Sequence, residues 1–410
     1  MKRLLSILLT LLSIYSFPSF ACTSVIVSSK ATASGKPLML KHRDSGELNN
    51  RIEYFNGSIY TFIGLVNSPS EGGEVWTGTN SAGFSIMNTA SYNIKDDDVP
   101  ASEMDKEGEL MFRALGVCAN LSDFENMLEK MSKPYGVEAN FGVIDAEGGA
   151  AYYEINNHSW IKYDVNESER GYRVVTNFSE SGRKEDYRGY ERYLTASAIM
   201  DDFYSESENG VMNISPFDLF YGISRSYRHT VIGMDYLNDF QSLKDNFGFT
   251  GVVADQDLIP RKSTSASIVI EGVKKGEDPL HTVMWTILGY PVCCVAFPLL
   301  VCDQDILPYY VKSSQNSKNC VLCNYSFKVR NSQIYKSDVG YGDGYADLNS
   351  ISELIHLCLK TESMIEYTWQ EIYDNWVSGK ISLTSFKIKY REFCINYYLE
   401  YIKYFTPFMQ

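Results

Sequence analysis

Strand-like segments first, helices in the middle, strands again and helices last: that order in a chain of 410 residues predicts an α+β fold. β-branched and alternating runs mark Thr23 to Ser29, Gly83 to Met87 and Ala139 to Ile155. Apolar residues at three- and four-residue spacing mark Glu107 to Met131 and Tyr187 to Arg228. A composition of 44% hydrophobic and 21% charged residues is that of a folded globular chain and excludes a disordered or collagen-like one. With 37 Lys and Arg against 51 Asp and Glu, the net charge of −14 argues against nucleic acid or an anionic membrane as partner.

The chain opens with a secretory signal. Lys2 and Arg3 precede the apolar run Leu4 to Ile14, and Ser19-Phe20-Ala21 has small residues at the −3 and −1 positions of a cleavage site. The apolar run is too short for a membrane span, and Pro291 and Pro298 break the only later candidate, Val283 to Val301. An exported product, periplasmic or secreted, of charge −16 follows once residues 1–21 are removed.

Cleavage after Ala21 leaves Cys22 first, and an N-terminal cysteine has two chemical uses. It can be lipidated, although Ser19 and Phe20 fit a lipoprotein signal poorly. It can also be a nucleophile whose own α-amine, with a reference pKa near ~8, serves as general base. Thr23 to Ser29, a turn through Gly35, and Pro37 to Leu40 read as a hairpin. A turn centred on Ala33 places Asp44 across from Cys22, where a carboxylate would hold the ammonium or orient the thiol. The same alternation sends Arg43 to the other face.

Cys22-Thr23-Ser24, Ser34-Gly35-Lys36-Pro37-Leu38 and His42-Arg43-Asp44-Ser45 together resemble the start of the N-terminal-nucleophile (Ntn) hydrolases. The branch they resemble is the linear-amide group of acyl-coenzyme A:isopenicillin N acyltransferase, penicillin V acylase and choloylglycine hydrolase. Trp76 to Asn88 resembles that group's Asn-x-x-Gly strand, which ends in an oxyanion-hole Asn. Tyr172 to Phe178 resembles its Thr-Asn segment. The resemblance covers residues 22 to 300 and implies a four-layer αββα sandwich, with Cys22, Arg43, Asp44, Asn88 and Asn177 as catalytic residues. In choloylglycine hydrolases two residues separate the Arg from the Asp, whereas Arg43 and Asp44 are adjacent here on a longer hairpin. That hairpin also resembles the Ntn dipeptidases. For the group's later Arg, Arg225, Arg228 and Arg261 are candidates.

The chemistry agrees with the residue types. Attack on an amide creates an oxyanion, and an Asn side chain at the end of a rigid strand is a neutral donor for it. Asn80, before Ser81-Ala82-Gly83, reads instead as a turn residue. Helices are expected over Glu107–Ala119, Leu121–Met131 (capped by Asn120 or Ser122), Tyr187–Phe203 and Pro216–Arg228. Ala139–Ile144 and Ala150–Ile155 form a second hairpin, and Ser265–Glu271 and Thr282–Leu288 return to strand. Asp96 to Asp98 is an acidic loop.

The expected organisation is therefore a signal at 1–21, a hydrolase domain at 22–311, a linker at 312–350 and a C-terminal helical hairpin at 351–410. The hairpin, Ile351 to Val377 and Leu383 to Phe405, packs on the core or on a partner subunit, which leaves a homo-oligomer open. Of nine Cys, eight remain beside Cys22, and disulfides are expected among Cys293, Cys294, Cys302, Cys320 and Cys323. Five His residues, none paired at ligand spacing, make a metal or other cofactor unexpected and disfavour a Cys-His protease. The expected function is an exported hydrolase or acyltransferase acting on a linear small-molecule amide through a thioester on Cys22. An Ntn dipeptidase and a lipid-anchored, non-catalytic binding protein are the alternatives.

Overall fold

The computed structural model describes residues 21–95, 98–314, 317–336 and 344–409. Positions 1–20, which carry the signal reading, and Asp96 and Asp97 of the acidic loop lie outside the described residues.

Two antiparallel sheets form the centre. The chain enters through β1 (Ala21–Val27) and β2 (Leu38–Asp44), whose residues are buried on both faces, as a sheet covered on two sides requires. It then lays down β3 (Asn50–Asn56), β4 (Thr61–Asn67), β5 (Thr77–Asn80) and β6 (Ser85–Ala90) of the second sheet. Two helices follow, α1 (Glu107–Val117) and α2 (Leu121–Lys130). Asn120 is the α2 cap, accepting from the Asp123 amide at 3.0 Å. Strands β7 (Ala139–Ile144), β8 (Ala150–Ile155) and β9 (Trp160–Asp164) complete the second sheet, in the order β3-β4-β5-β6-β7-β8-β9.

The chain returns to the first sheet with β10 (Tyr172–Val175), crosses it with α3 (Tyr190–Ser205) and α4 (Pro216–Leu219), and runs through α5 (Phe240–Phe247). It then adds β11 (Thr264–Glu271), β12 (Val283–Leu288) and β13 (Phe297–Leu299), for the order β10-β1-β2-β11-β12-β13. Alternation assigns the layers. On β4, Ile63 and Leu65 join the core between the sheets, while Phe62 and Val66 face α1 and α2. Gly142 on β7 marks the close approach of the sheets: a Cβ there would stand 2.7 Å from Met87 and 3.1 Å from Ile26. With α3 and α4 on the far side of the first sheet, the order is helix, sheet, sheet, helix, the sandwich that the resemblance implies.

Four expectations need correction, the last being the disulfides. The first hairpin pairs Cys22 with Arg43 and Ala21 with Asp44, one residue away from the expected register. A slip of one exchanges faces, so Arg43, not Asp44, shares the face of Cys22. The cause is tertiary. Ala31 and Ala33 bond to both sides of Met212 (2.7 and 2.8 Å), which shapes the turn through a segment far along the chain. Second, the expected helix over Pro216–Arg228 stops early: α4 gives way to a π-type turn, Phe220–Ser224.

Third, residues 312–350 are not a linker. They contain α6 (Val321–Gln333), with Leu322, Cys323, Phe327 and Val329 buried in the main core. Cys320 caps α6, its Sγ accepting from the Cys323 amide at 3.3 Å. All nine cysteines are free thiols, against the disulfides expected. Helices α7 (Ile351–Val377) and α8 (Leu383–Phe405) form the C-terminal hairpin and pack on this same core. Among the described residues no helix is long and apolar enough to cross a membrane, and no group of three His, Cys, Asp or Glu could hold a metal.

Candidate active site

Cys22 lies at the start of β1, between β10 and β2, and is 6% exposed. Its backbone N–H donates to Asn177 Oδ1 at 2.9 Å. Asn177 follows β10 and is oriented from three sides. Arg192 of α3 donates to the same Oδ1 at 2.8 Å, and Asn177 Nδ2 donates to the Ala90 carbonyl at 2.9 Å. These partners distinguish the oxygen end of the amide from the nitrogen end. Nδ2 keeps a second hydrogen.

Arg192 also donates to the Cys22 carbonyl at 2.6 Å and to Thr23 Oγ1 at 3.1 Å. It braces the first two residues of the strand from the helix side. Burial, reinforced by nearby Arg261, lowers its pKa to about 9.

Asp44 lies across from Ala21, the residue on the other side of the expected cleavage point. Its Oδ2 accepts from Arg261 Nε at 2.8 Å, with Nη2 at ion-pair distance, also 2.8 Å, and its Oδ1 accepts from Thr264 Oγ1 at 2.7 Å. Burial pulls the Arg261 guanidinium down, but the pairing with Asp44 more than offsets it and leaves its pKa raised. His42, on the same face, is fully buried between Ser267 Oγ at 2.9 Å and Thr264 Oγ1 at 3.2 Å. Burial outweighs the Asp44 charge and holds its pKa down at about 4, so the ring is neutral.

The thiol's own face carries two cations. Arg43 is bound by Asn50 Oδ1 (2.8 Å), Asn67 Oδ1 (2.9 Å) and Ser265 Oγ (3.0 Å), and its guanidinium stacks 5.1 Å from the Trp76 ring. Burial lowers it to about 10, against the pull of the Cys22 thiol. Lys41, two residues before it on β2, donates to Asn88 Oδ1 and to the Trp76 carbonyl, both at 2.6 Å. Burial brings Lys41 down to about 7, Cys22 opposing and Arg43 assisting. Among the described residues, the side chains and carbonyls bound to these two cations are neutral.

Cys22, Arg43, Asn88 and Asn177 thus share one end of the sandwich, and Asp44 reaches it from the helix side. Asn80 sits in its turn, with Oδ1 accepting from Ala82 N and Phe84 N at 3.0 Å each and Gly83 at φ +77°. Of the three arginine candidates, Arg261 meets Asp44. Arg225 is committed to Glu362, at 2.8 Å, and Arg228 to Asp202, at 2.6 Å, both away from Cys22. Reading by motif misses two residues. Lys41 has a signal in the alternation alone: it stands two residues before Arg43 on β2 and so on the same face. Arg192 has none, since only the packing of α3 on β1 brings it to Asn177. A cavity of about 630 Å³ between α4, β12 and α7, lined by Phe217, Trp285, Trp369 and Tyr373, contains none of these residues.

Fold and site together define a four-layer αββα chain with a cysteine at the head of a central strand. No family model and no curated protein matches the sequence. Among solved structures it is similar to the Caenorhabditis elegans N-acylethanolamine-hydrolyzing acid amidase ortholog, at 15% identity over 63% of this chain and 93% of that one, with a TM-score of 0.38. It is similar to conjugated bile acid hydrolase from Clostridium perfringens, at 10% identity over 65% and 89%, TM-score 0.38. Penicillin V acylase from Agrobacterium tumefaciens matches at 14% identity over 68% and 86%, TM-score 0.36. Likeness of this order concerns the fold alone, so the chemistry rests on the residues above.

Proposed function

We propose that this chain is an exported amide hydrolase of the N-terminal-nucleophile kind, acting on linear amides through a thioester on Cys22. The observation that carries the reading is the hydrogen bond from Cys22 N to Asn177 Oδ1, with Arg192 bracing both partners. Once Ala21 is cut away, that nitrogen becomes an α-amine beside its own thiol, with Asp44 across from the vacated position. The amine takes the thiol proton as sulfur attacks the amide carbonyl carbon. The carbonyl oxygen becomes an oxyanion, held by the free N–H bonds of Asn88 and Asn177. Collapse breaks the C–N bond, and the amine leaves with the proton returned from the α-ammonium. Water then attacks the thioester by the same route, releasing the acid and restoring the thiol. An acceptor amine in place of water makes the reaction an acyl transfer. The substrate class is a small linear amide.

The test is turnover of conjugated bile acids, penicillin V, N-acyl amino acids and dipeptides by the exported protein and by Cys22→Ala. The variant should fold and lose all turnover; more than a few per cent of wild-type activity on a confirmed substrate would refute the role of Cys22. Asn88→Ala and Asn177→Ala should each lower kcat by ~10²–10³ with KM little changed. A change in KM alone would make them binding residues. Activation on export, with signal peptidase freeing the Cys22 amine in one step, has its own check, the N-terminal sequence of exported Cys22→Ala. A chain starting at position 22 supports cleavage by signal peptidase, and an uncut chain indicates that Cys22 processes itself.

A further inference from the structure

We propose that Lys41 is the positioning residue that aims the Asn88 side-chain amide at the carbonyl under attack by Cys22. This rests on the reading of Cys22 as nucleophile and adds to it a residue that motif reading does not reach. An amide side chain can turn either end to a reaction centre, and only its nitrogen can donate to an oxyanion. An ammonium donates only, so at 2.6 Å it can bind Asn88 only through Oδ1. The Nδ2 end is thereby left for substrate. The Trp76 carbonyl, also 2.6 Å from Nζ, fixes the ammonium in turn, and the Trp76 ring lies against Arg43. A buried cation on Oδ1 has a second effect. It draws electron density toward the oxygen and makes the N–H bonds of Nδ2 stronger donors.

The identity of this cation matters because a lysine can lose its charge where an arginine does not. Groups facing it are few. Arg43 on its own strand repels it, the Cys22 thiol on β1 attracts it, and Asn88 on β6 is neutral. On β8, Tyr152 reaches Ser24, the residue paired with Lys41, and burial pushes this phenol far above neutrality, so it stays uncharged. Lys41 therefore changes charge near pH 7. Deprotonated, Nζ gains a lone pair and can accept from Nδ2, so the amide is free to turn over and its donor is lost. The α-amine must be neutral and Lys41 charged in the same molecule, which gives kcat a bell-shaped pH profile.

The experiment compares wild type, Lys41→Met and Lys41→Arg as full chains, on whichever amide the panel identifies. Lys41→Met should lower kcat by ~100-fold with KM within ~3-fold, as expected for loss of a donor used only in the transition state. Lys41→Arg should stay within ~10-fold of wild type and lose the alkaline limb, turning the bell into a single rise with pH. A structural role would leave that profile unchanged. Lys41→Met retaining over a third of kcat, or Lys41→Arg keeping the alkaline limb, overturns the proposal while leaving Cys22 as nucleophile. If wild type cleaves no amide, the functional reading fails instead. Crystals of wild type and Lys41→Met then decide: a turned Asn88 amide in the variant supports the proposal, and an unchanged one overturns it.

Discussion

His42 has no hydrogen-bonding need for a proton beyond the one it shares with Ser267 and Thr264, and it lies where a second charge would be costly. Its pKa is about 4 in the folded protein and 6.5 ordinarily. As pH falls through 6.5 the unfolded chain takes up the proton first, so stability drops until about pH 4, where the folded state binds it too. That interval corresponds to a loss of ~3 kcal/mol. His42→Gln should remove this share, so wild type should lose more stability than the variant in urea titrations between pH 7 and 4. Parallel losses would show that His42 does not titrate there. Of the candidate residues, Cys22 at the start of β1 and Asn177 just after β10 stand where the local pattern puts them, whereas Asn88 lies inside β6 rather than at its end. Asp44 stands one register position from where the local hairpin puts it, because the turn bonds to Met212, 168 positions beyond it and silent in the local sequence. Arg192 was out of reach for the same reason.

At the scale of elements, hydrophobic period marked those that bury one face. Helix α2 was legible to within a residue because Asn120 caps a plain amphipathic stretch. Helix α6 is not, because its Ser, Asn and Lys residues resemble a loop and its apolar positions matter only against distant segments: β12 and the turns Tyr309–Val311 and Thr406–Met409. The early end of α4 has a specific partner. Arg225 donates to both carboxylate oxygens of Glu362 on α7, at 2.8 Å each, and to the carbonyls of Pro291 and Cys294. Glu362 also accepts from the Ala296 amide at 2.8 Å and from Tyr221. Breaking a buried pair leaves an uncompensated charge, so Glu362→Gln should cost ~3–5 kcal/mol. Arg225→Met with Glu362→Leu should recover much of that loss in chemical denaturation. A single variant within ~1 kcal/mol of wild type would mean that water reaches the pair.

On the scale of the whole molecule, the abundance of tyrosine acquires a purpose. The segment from Cys293 to Pro298 leads into β13 at the edge of the first sheet, and its carbonyls point away from any strand partner on that side. Tyrosines of the C-terminal hairpin supply the donors. Tyr401 binds Cys293 O at 2.9 Å, Tyr397 binds Ala296 O at 3.1 Å and Tyr390 binds Pro298 O at 2.6 Å. Tyr373 reaches His281 O at 2.6 Å, and Tyr310 returns a bond to Cys394 O at 3.1 Å. Trp369 packs on Trp285, with Phe386 and Phe393 against Trp369, and Tyr397 packs on Phe297, so the rings bury apolar area while the tyrosine hydroxyls satisfy the sheet edge. A hairpin that completes both the core and its hydrogen bonds is part of one folding unit. A chain ending at residue 350 would leave those carbonyls and that apolar face bare, at ~1–3 kcal/mol for each unpaired buried group alone. It should therefore fail to fold, with near-ultraviolet circular dichroism lost, whereas the full chain should melt in one transition. Tyr390→Phe, Tyr397→Phe and Tyr401→Phe together should lower stability by several kcal/mol without changing the fold. A residue 22–350 fragment that is soluble and unfolds cooperatively would instead make the hairpin a separate domain.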